Sequence, residues 1–331
     1  MTDGRYVDGS IWFYEPNQQA PIFFTVAFGL VTLLHLWQCI KYKSFKITAL
    51  HPFACMLFTV GFAFREVGSH KITQTVPYLV STILIYSAPP ILELANFHVL
   101  GRILYYVPYC APLHPGRTLT TFGSLSFFVE VLNGLGIAWV AQPKVADNIR
   151  DVGHALLKAS LILQLCVITL FLGTAALFHY KCSRAGVLTR ATKFPLWTMY
   201  ASSLIILTRC IYRTVEHFGS EAMSSAESVA QLNALSPILR YEWFFYVFEA
   251  SLMLANELLW NLMHPRRFLP VDIHTYLAQD GATELRGPGW KDERPFIVTL
   301  CDPLGCMATG KKTTPFWETN GFGKMPSKVG A

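Results

Sequence analysis

Residues 195–218 read PLWTMYASSLIILTRCIYRTVEHF. Up to Thr208 the run is free of charge and apolar enough to enter a bilayer, yet two arginines and a glutamate close it. At helical spacing Arg209, Arg213 and Glu216 fall at i, i+4 and i+7, so all three share one face. The stretch is therefore either a soluble core helix with an odd charged end or a membrane helix carrying a deliberate polar stripe.

The rest of the chain decides for the membrane. Of its 331 residues 52% are hydrophobic and only 15% charged, with mean hydropathy +0.36; soluble domains are usually about 25% charged. Seven stretches are nearly free of charge and long enough for a hydrocarbon core of roughly 30 Å: about 21–40, 47–67, 77–99, 121–141, 156–179, 195–216 and 241–263. Backbone polar groups must be satisfied inside lipid, and continuous apolar runs rather than alternation select helices over barrel strands. The expected fold is an all-α membrane protein, a seven-transmembrane-helix bundle.

The net charge of +6 is explained by its placement and is no sign of a nucleic-acid partner. Loops 41–46, 101–120 and 180–194 carry Lys41, Lys43, Lys46, Arg102, Arg117, Lys181, Arg184, Arg190 and Lys193, with no Asp or Glu. Positive-inside logic puts these loops in the cytosol, the N-terminus outside and the C-terminus inside. The expected organisation is an extracytoplasmic segment 1–20, a seven-helix transmembrane domain 21–263 and a cytosolic, mostly irregular tail 264–331. Residues 1–20 lack the basic start and short apolar core of a cleaved signal peptide, so the first span is expected to act as the anchor. None of the eight cysteines falls in an expected outer loop, so no structural disulfide is anticipated.

Ionisable groups at membrane depth are costly, and they usually face the bundle interior or a wet cavity. Glu130 and Asn133 lie in the fourth stretch beside Gly134 and Gly136, small residues that permit close helix approach. Glu93 follows Pro89-Pro90, a pair expected to kink the third helix and free carbonyls. Gln164 lies in the fifth stretch. Glu242, Glu249 and Asn256 recur every seven residues in the last, with Glu257 beside them. Glu93, Glu130, Asn133, Gln164, Glu249 and Asn256 form a candidate polar track for a substrate headgroup. Arg65, Glu66, Arg209, Arg213, Glu216 and Glu242 form a candidate charged cluster. Arg209 lies roughly 9 Å in from the outer end of its helix at 1.5 Å per residue, the depth of Glu249 on the following helix, so these two are expected to pair. Arg213 has Glu242, Glu216 and Glu66 to choose from.

No catalytic residue, metal or cofactor is expected. His35, His51, His98, His179 and His264 lie near cytosolic helix ends and make no HxxH, HxxxH or HExxH pattern. The tail's GCMATGKKT, 305–313, puts Lys312 where a phosphate-binding loop needs a hydroxyl, so ATP hydrolysis is not expected. Aromatics at stretch ends, among them Trp12, Phe13, Tyr14, Tyr105, Tyr106, Trp197 and Trp243, read as interfacial belts.

In order along the chain, several motifs resemble one family. YEPNQQAPIFFTVAFGLVTLLHLWQ, with His35 and Gln38, is similar to that family's opening, and GFAFR, with Gly61 and Arg65, to the end of its second span. SAPPILELANFHVLGRIL resembles its third. Arg209, Tyr212, Arg213 and Glu216 fit an R-x-x-Y-R-x-x-E signature, followed in register by YEWFFYVFEASLM and His264-Pro265. Over about residues 12–268 the chain resembles the fungal seven-span lipid-translocating exporters, the RTA-like group linked to aminocholesterol resistance and sphingoid long-chain-base export. It departs from them at Phe58, Gly123, Glu130 and Glu249, so the intramembrane acids are redistributed. The resemblance implies a transporter of an amphipathic, lipid-like molecule or toxic amphiphile, tied to drug or stress tolerance. Its partners would be membrane lipids or lipid-like small molecules, and its place the plasma membrane, with an endomembrane as the alternative. Two other classes stand beside it. A seven-span receptor or stress sensor fits the topology, but HVLGRIL lacks an acid–Arg pair and the last span has no NPxxY or lysine. A lipid-modifying or cyclising enzyme would use Glu93 and Glu130 as acid and base.

Overall fold

The computed structural model describes residues 6–7, 10–12, 14–140, 147–224, 231, 234–272, 274–287 and 297–298. The GCMATGKKT motif, Cys301 and Cys306 lie outside them. The apolar stretches are helices: α1 (Ala20–Lys41), the short α2 (Phe45–Thr48), α3 (Leu50–Ser69), α4 (Thr75–Tyr106), α5 (Pro115–Val140), α6 (Asp147–Arg184) and α7 (Arg190–Ser224). After α8 (Pro237–Arg240), the last rod consists of α9 (Trp243–Phe245), a π turn (Tyr246–Ser251) and α10 (Leu252–Leu262). α1, α4, α5, α6 and α7 are each long and apolar enough to cross a membrane.

The surface is that of a protein in lipid. Phe23 is 61% exposed, Ile40 67% and Phe127 71%, an apolar exposure that water would penalise. Hydroxyls in the spans turn back on their own helix. Thr25 donates to Pro21 O, Thr32 to Phe28 O and Thr59 to Cys55 O, each at 2.8 Å. A hydroxyl that bonds the i−4 carbonyl needs no solvent partner. The chain is thus an all-α integral membrane protein that crosses the bilayer several times. α1 packs on α3, α3 on α4, α4 on α5 and α7, α5 on α6, α6 on α7, α7 on α10, and α10 back on α1.

Two apolar clusters fill this ring. One joins Phe24, Phe28, Phe58, Phe62, Ile85, Ile206 and Phe245; the other joins Phe97, Leu100, Phe171, Phe178, Trp260 and Leu277. Close approach depends on two glycines. A Cβ on Gly61 would stand 2.7 Å from Ile85 of α4, and one on Gly136 would stand 2.7 Å from Leu157 of α6. Gly134, the other small residue of that pair, faces open space. α4 runs through Pro89 and Pro90 without interruption, although the missing donors leave the carbonyls of Ile85 and Tyr86 without their helical partners.

Part of the region read as an irregular tail is ordered. β1 (Thr275–Leu277) and β2 (Glu284–Arg286) form an antiparallel hairpin against the end of α4. Arg102 donates to Asp272 O at 2.8 Å and Thr275 O at 3.2 Å, and Tyr106 to Glu284 at 2.8 Å. Tyr105 and Tyr109 donate to the carbonyls of His274 and Ala278. Tyr105 and Tyr106 are therefore buried anchors for the hairpin rather than belt residues. The six described cysteines are all free thiols.

Two tests follow from this packing. Gly136→Val forces a branched side chain against Leu157, which should cost about 1–3 kcal/mol and lower the thermal midpoint in detergent; Gly134→Ala should leave it in place. His264, just past α10, stacks on Tyr42 at 5.0 Å and accepts a hydrogen bond from the Arg266 N–H. Burial, reinforced by His51, His35 and Arg267, lowers its pKa from 6.5 to about 3. The unfolded chain takes up this proton as pH falls through the ordinary imidazole value, while the folded chain does so only near the depressed one. Stability is therefore lost on acidification across that window. His264→Phe keeps the stack and removes the proton. Its melting temperature should fall less than that of the unsubstituted chain between about pH 7 and about pH 5.

Candidate functional site

The stripe on α7 opens onto a cavity of about 530 Å³ between the start of the chain, the C-terminal end of α3, the N-terminal part of α4, the C-terminal part of α7 and the α8–α9 region. Arg65, Arg213 and Glu216 line it together with Tyr14, Tyr78 and Tyr86. The cavity combines flat aromatic faces, hydroxyls and charges of both signs, surfaces that suit a polar or charged ligand group.

Each charge is held differently. Arg65 is buried between the rings of Trp12 and Phe245, at 4.3 and 4.1 Å from the centroids. It donates to Glu242 at 2.8 Å, to Tyr246 OH at 3.2 Å and to Tyr14 OH at 3.3 Å. Glu242 also accepts from the Asn17 N–H at 2.7 Å and from Tyr246 OH at 3.1 Å. Arg213 takes the local acid Glu216, rather than Glu242, and lies over Tyr86 at 3.9 Å. Tyr212 OH also donates to Glu216, at 3.1 Å. Glu66 lies outside this cluster and pairs with His70 at 2.9 Å.

One turn further in, Arg209 donates through Nε to Glu249 at 2.8 Å, the partner that equal depth selects. Gln164 donates to Glu93 at 2.9 Å. Cys210, beside Arg209, lies 3.9 Å from the same carboxylate oxygen. Glu130 is half-buried on α5 and hydrogen-bonds Asn133 of its own helix. Beyond Glu93 the bundle is nearly closed. The cavity bounded by Glu93, Asn96, Phe97, Ile168, Phe171, Ser203 and Ile206 measures about 10 Å³, on the order of a single water.

Polar contacts nevertheless continue towards the far end. Asn96 donates to Ser202 at 2.9 Å, and Trp260 Nε1 donates to the same hydroxyl at 3.0 Å. The Trp260 ring lies 5.4 Å from that of His51, which in turn touches Glu257. The candidate track is thus not one line of acids. Glu93 and Gln164 meet, Glu130 and Asn133 meet, Glu249 is neutralised by Arg209, and Asn256 turns to Glu257 at 3.2 Å. Nothing in the spacing of His35, His51 and Glu257 announces their convergence. Of the cavity tyrosines, Tyr14 reads in sequence as a belt residue, and nothing in the spacing of Tyr78 and Tyr86 marks them as cavity walls.

Residues 52–272 match the family described as RTA1 like protein. The chain is 45% identical over 306 residues to the lipid-translocating exporter-like protein RTA1 of Leptosphaeria maculans, covering 89% of this chain and 58% of that protein. It therefore spans less than two thirds of that relative's length. It is 25% identical over 296 residues to protoporphyrin uptake protein 1 of Saccharomyces cerevisiae, covering 76% of this chain and 90% of that protein. It is 23% identical over 279 residues to the probable lipid transporter atnI of Emericella nidulans, covering 79% of this chain and 69% of that protein. No solved structure matches the chain.

The inner ion pair has a direct test. Arg209→Gln leaves Glu249 buried without its cation, and breaking a buried pair from one side costs about 3–5 kcal/mol. Yield and thermal midpoint should both fall sharply. The double reversal, Arg209→Glu with Glu249→Arg, should recover part of what Arg209→Glu alone loses. No recovery would mean that the pair is not what joins α7 to the last rod.

Proposed function

The chain belongs to the RTA1-like protein family, and from that membership we propose that it is a transporter of an amphipathic, lipid-like molecule. The observation that carries the reading is the cavity of about 530 Å³, where tyrosines, Arg65, Arg213 and Glu216 meet next to lipid-exposed helices. The headgroup enters this cavity and exchanges for one member of the half-buried Arg213–Glu216 pair, while the tail stays among the outer faces of the helices. An ammonium group replaces Arg213 at Glu216 and rests on the tyrosine faces; an acidic group replaces Glu216 at Arg213. Passage inward requires the Arg209–Glu249 pair to part and the packing around Glu93 and Asn96 to open.

The names of its relatives, among them a probable lipid transporter and a protoporphyrin uptake protein, support a lipid-like substrate. The reading includes seven spans with the N-terminus outside and the C-terminus in the cytosol, on the strength of the three basic loops. It includes the organisation 1–20, 21–263 and 264–331, residence in the plasma membrane, and a role in tolerance of toxic amphiphiles. Transport is driven by a concentration or ion gradient rather than by ATP hydrolysis, and the substrate leaves chemically unchanged.

Flux of labelled amphiphiles through proteoliposomes tests this reading. The panel holds sphingoid bases and aminosterols, fatty acids, and neutral lipids, with a proton gradient imposed or omitted. One class should move, with its mass unchanged. Glu216→Gln should cut the flux of amines by more than about tenfold, or Arg213→Gln that of acids, the loss of one good charge-assisted contact. Absence of movement for every class by folded protein, or a changed substrate mass, would overturn the proposal.

A further inference from the structure

At the end of the bundle away from the cavity, three side chains from three helices converge without a role in the transport reading. His35 comes from the last turns of α1, His51 from the first turn of α3 and Glu257 from α10. None is more than 1% exposed. His35 Nε2 lies 3.1 Å from Glu257 Oε2, and His51 Nδ1 lies 3.2 Å from both carboxylate oxygens. One donor atom from each residue can be chosen so that all three lie within 4.8 Å of one another. We propose that His35, His51 and Glu257 form a binding site for one divalent transition-metal ion, zinc by preference.

The geometry fits the ion. Zinc takes imidazole nitrogen at about 2.0–2.1 Å and carboxylate oxygen at about 2.0–2.2 Å in tetrahedral array. Donor atoms around such a centre stand roughly 3.3–3.5 Å apart, so the nitrogen–oxygen separations here need to open by only a few tenths of an ångström. The His35 and His51 rings lie nearly parallel with centroids 5.2 Å apart, and each brings one nitrogen to the same carboxylate. His35 Nε2 meets the carboxylate at ion-pair distance and has no other partner among the described residues. Such a nitrogen can give up a proton and bind an ion there instead.

Charge supports the same conclusion. Among the described residues no Lys or Arg pairs with Glu257; its ion-pair partners are the two histidines. A carboxylate at this depth needs a cation. A metal ion supplies it and also uses both imidazoles as ligands. The carboxylate is held in place from outside as well. Asn256 donates to Oε1 at 3.2 Å and the Cys55 thiol to Oε2 at 3.4 Å. Asn261 donates to the Glu257 carbonyl and in turn receives Gln38 at its own. Such outer partners fix the orientation of ligands and commonly govern metal affinity.

Two nitrogens and one oxygen select a transition ion over magnesium or calcium, which take oxygen sets. Two histidines and one carboxylate also suit ferrous iron where open positions admit a co-substrate. The three residues are almost wholly buried, so a closed site for zinc is the better fit. The ion would tie α1, α3 and α10 together about 21 Å from Arg65 along α3, at 1.5 Å per residue.

The test uses the full chain, purified without a polyhistidine tag and held in nanodiscs. Elemental mass spectrometry should find about one equivalent of transition metal per chain, with zinc the chief element; iron or another first-row ion in its place would keep the site and change its occupant. After chelation, added Co²⁺ should give the intense visible bands of a tetrahedral centre. His35→Ala and Glu257→Gln should weaken Co²⁺ binding by more than about tenfold, beyond what outer partners alone command. His70→Ala, which removes the surface His70–Glu66 pair, should leave it unchanged. If a triad variant fails to fold, the cobalt spectrum of the unsubstituted chain still decides. Monodisperse protein that binds no metal, or gives only the weak bands of octahedral surface cobalt, would overturn the proposal and leave the cluster as a proton-sharing His–Glu–His. Binding that survives both triad substitutions, or disappears in His70→Ala, would overturn it equally.

Discussion

The bundle depends on one constraint: a charge inside lipid must find its counter-charge inside the same protein. Arg209 and Glu249 meet that constraint deepest below the cavity, and their contact fixes the rotation of the last rod against α7. The π turn at Tyr246–Ser251 shows how closely that rotation is set. A seven-residue repeat would bring Glu242, Glu249 and Asn256 to one face. A π turn accommodates one extra residue, so the position that faces α1 and α3 beyond it is Glu257, not Asn256. One inserted residue therefore decides whether the far end of the bundle presents an amide or an acid to His35 and His51.

The helices and the deepest pair were legible in the sequence for a physical reason. A charge-free run of twenty residues has few alternatives to a helix in lipid, and 21–40 becomes Ala20–Lys41 almost unchanged. Depth is one-dimensional, so counting residues from the membrane edge was enough to match Arg209 with Glu249. Rotation is not countable in that way. Arg213 had three acids at similar depth, and it took Glu216 because Arg65 had already engaged Glu242 from another helix. The cluster of His35, His51 and Glu257 joins positions 206 residues apart, and no spacing motif reports such a contact. The hairpin leaves no trace in the sequence pattern because three-residue strands carry no measurable alternation, and its anchors Tyr105 and Tyr106 have the composition of belt residues.

The two ends of the molecule are built on opposite terms. At the cavity, charge meets rings and open volume; at the far end, polar groups are packed against one another with little space. Between them, Asn96, Ser202 and Trp260 hydrogen-bond within closely fitted apolar walls. A passage through such a bundle, as the proposed function requires, would be a rearrangement of helices rather than a pore. Gly61 and Gly136 set how near the helices stand, and the ion pairs set how they are turned.

Burial separates the two outer ion pairs by how readily a ligand of the proposed kind could replace them. The Arg65 and Glu242 side chains are each 5% exposed, and four rings and the Asn17 backbone surround them. Breaking such a pair from one side costs about 3–5 kcal/mol, more than a single headgroup contact returns. The Arg213 and Glu216 side chains are 25% and 20% exposed. This second pair lies within one helix and is the less enclosed of the two, so a charge-assisted hydrogen bond from a ligand, about 1.5–3 kcal/mol, competes with it more readily. Arg213 and Glu216 both line the cavity, whereas of the other pair only Arg65 does, held by Glu242; the first of these is the more readily replaced. Arg65 and Glu242 therefore fix the cavity's shape, and in the proposed transport reading Arg213 and Glu216 are the pair that a headgroup would replace.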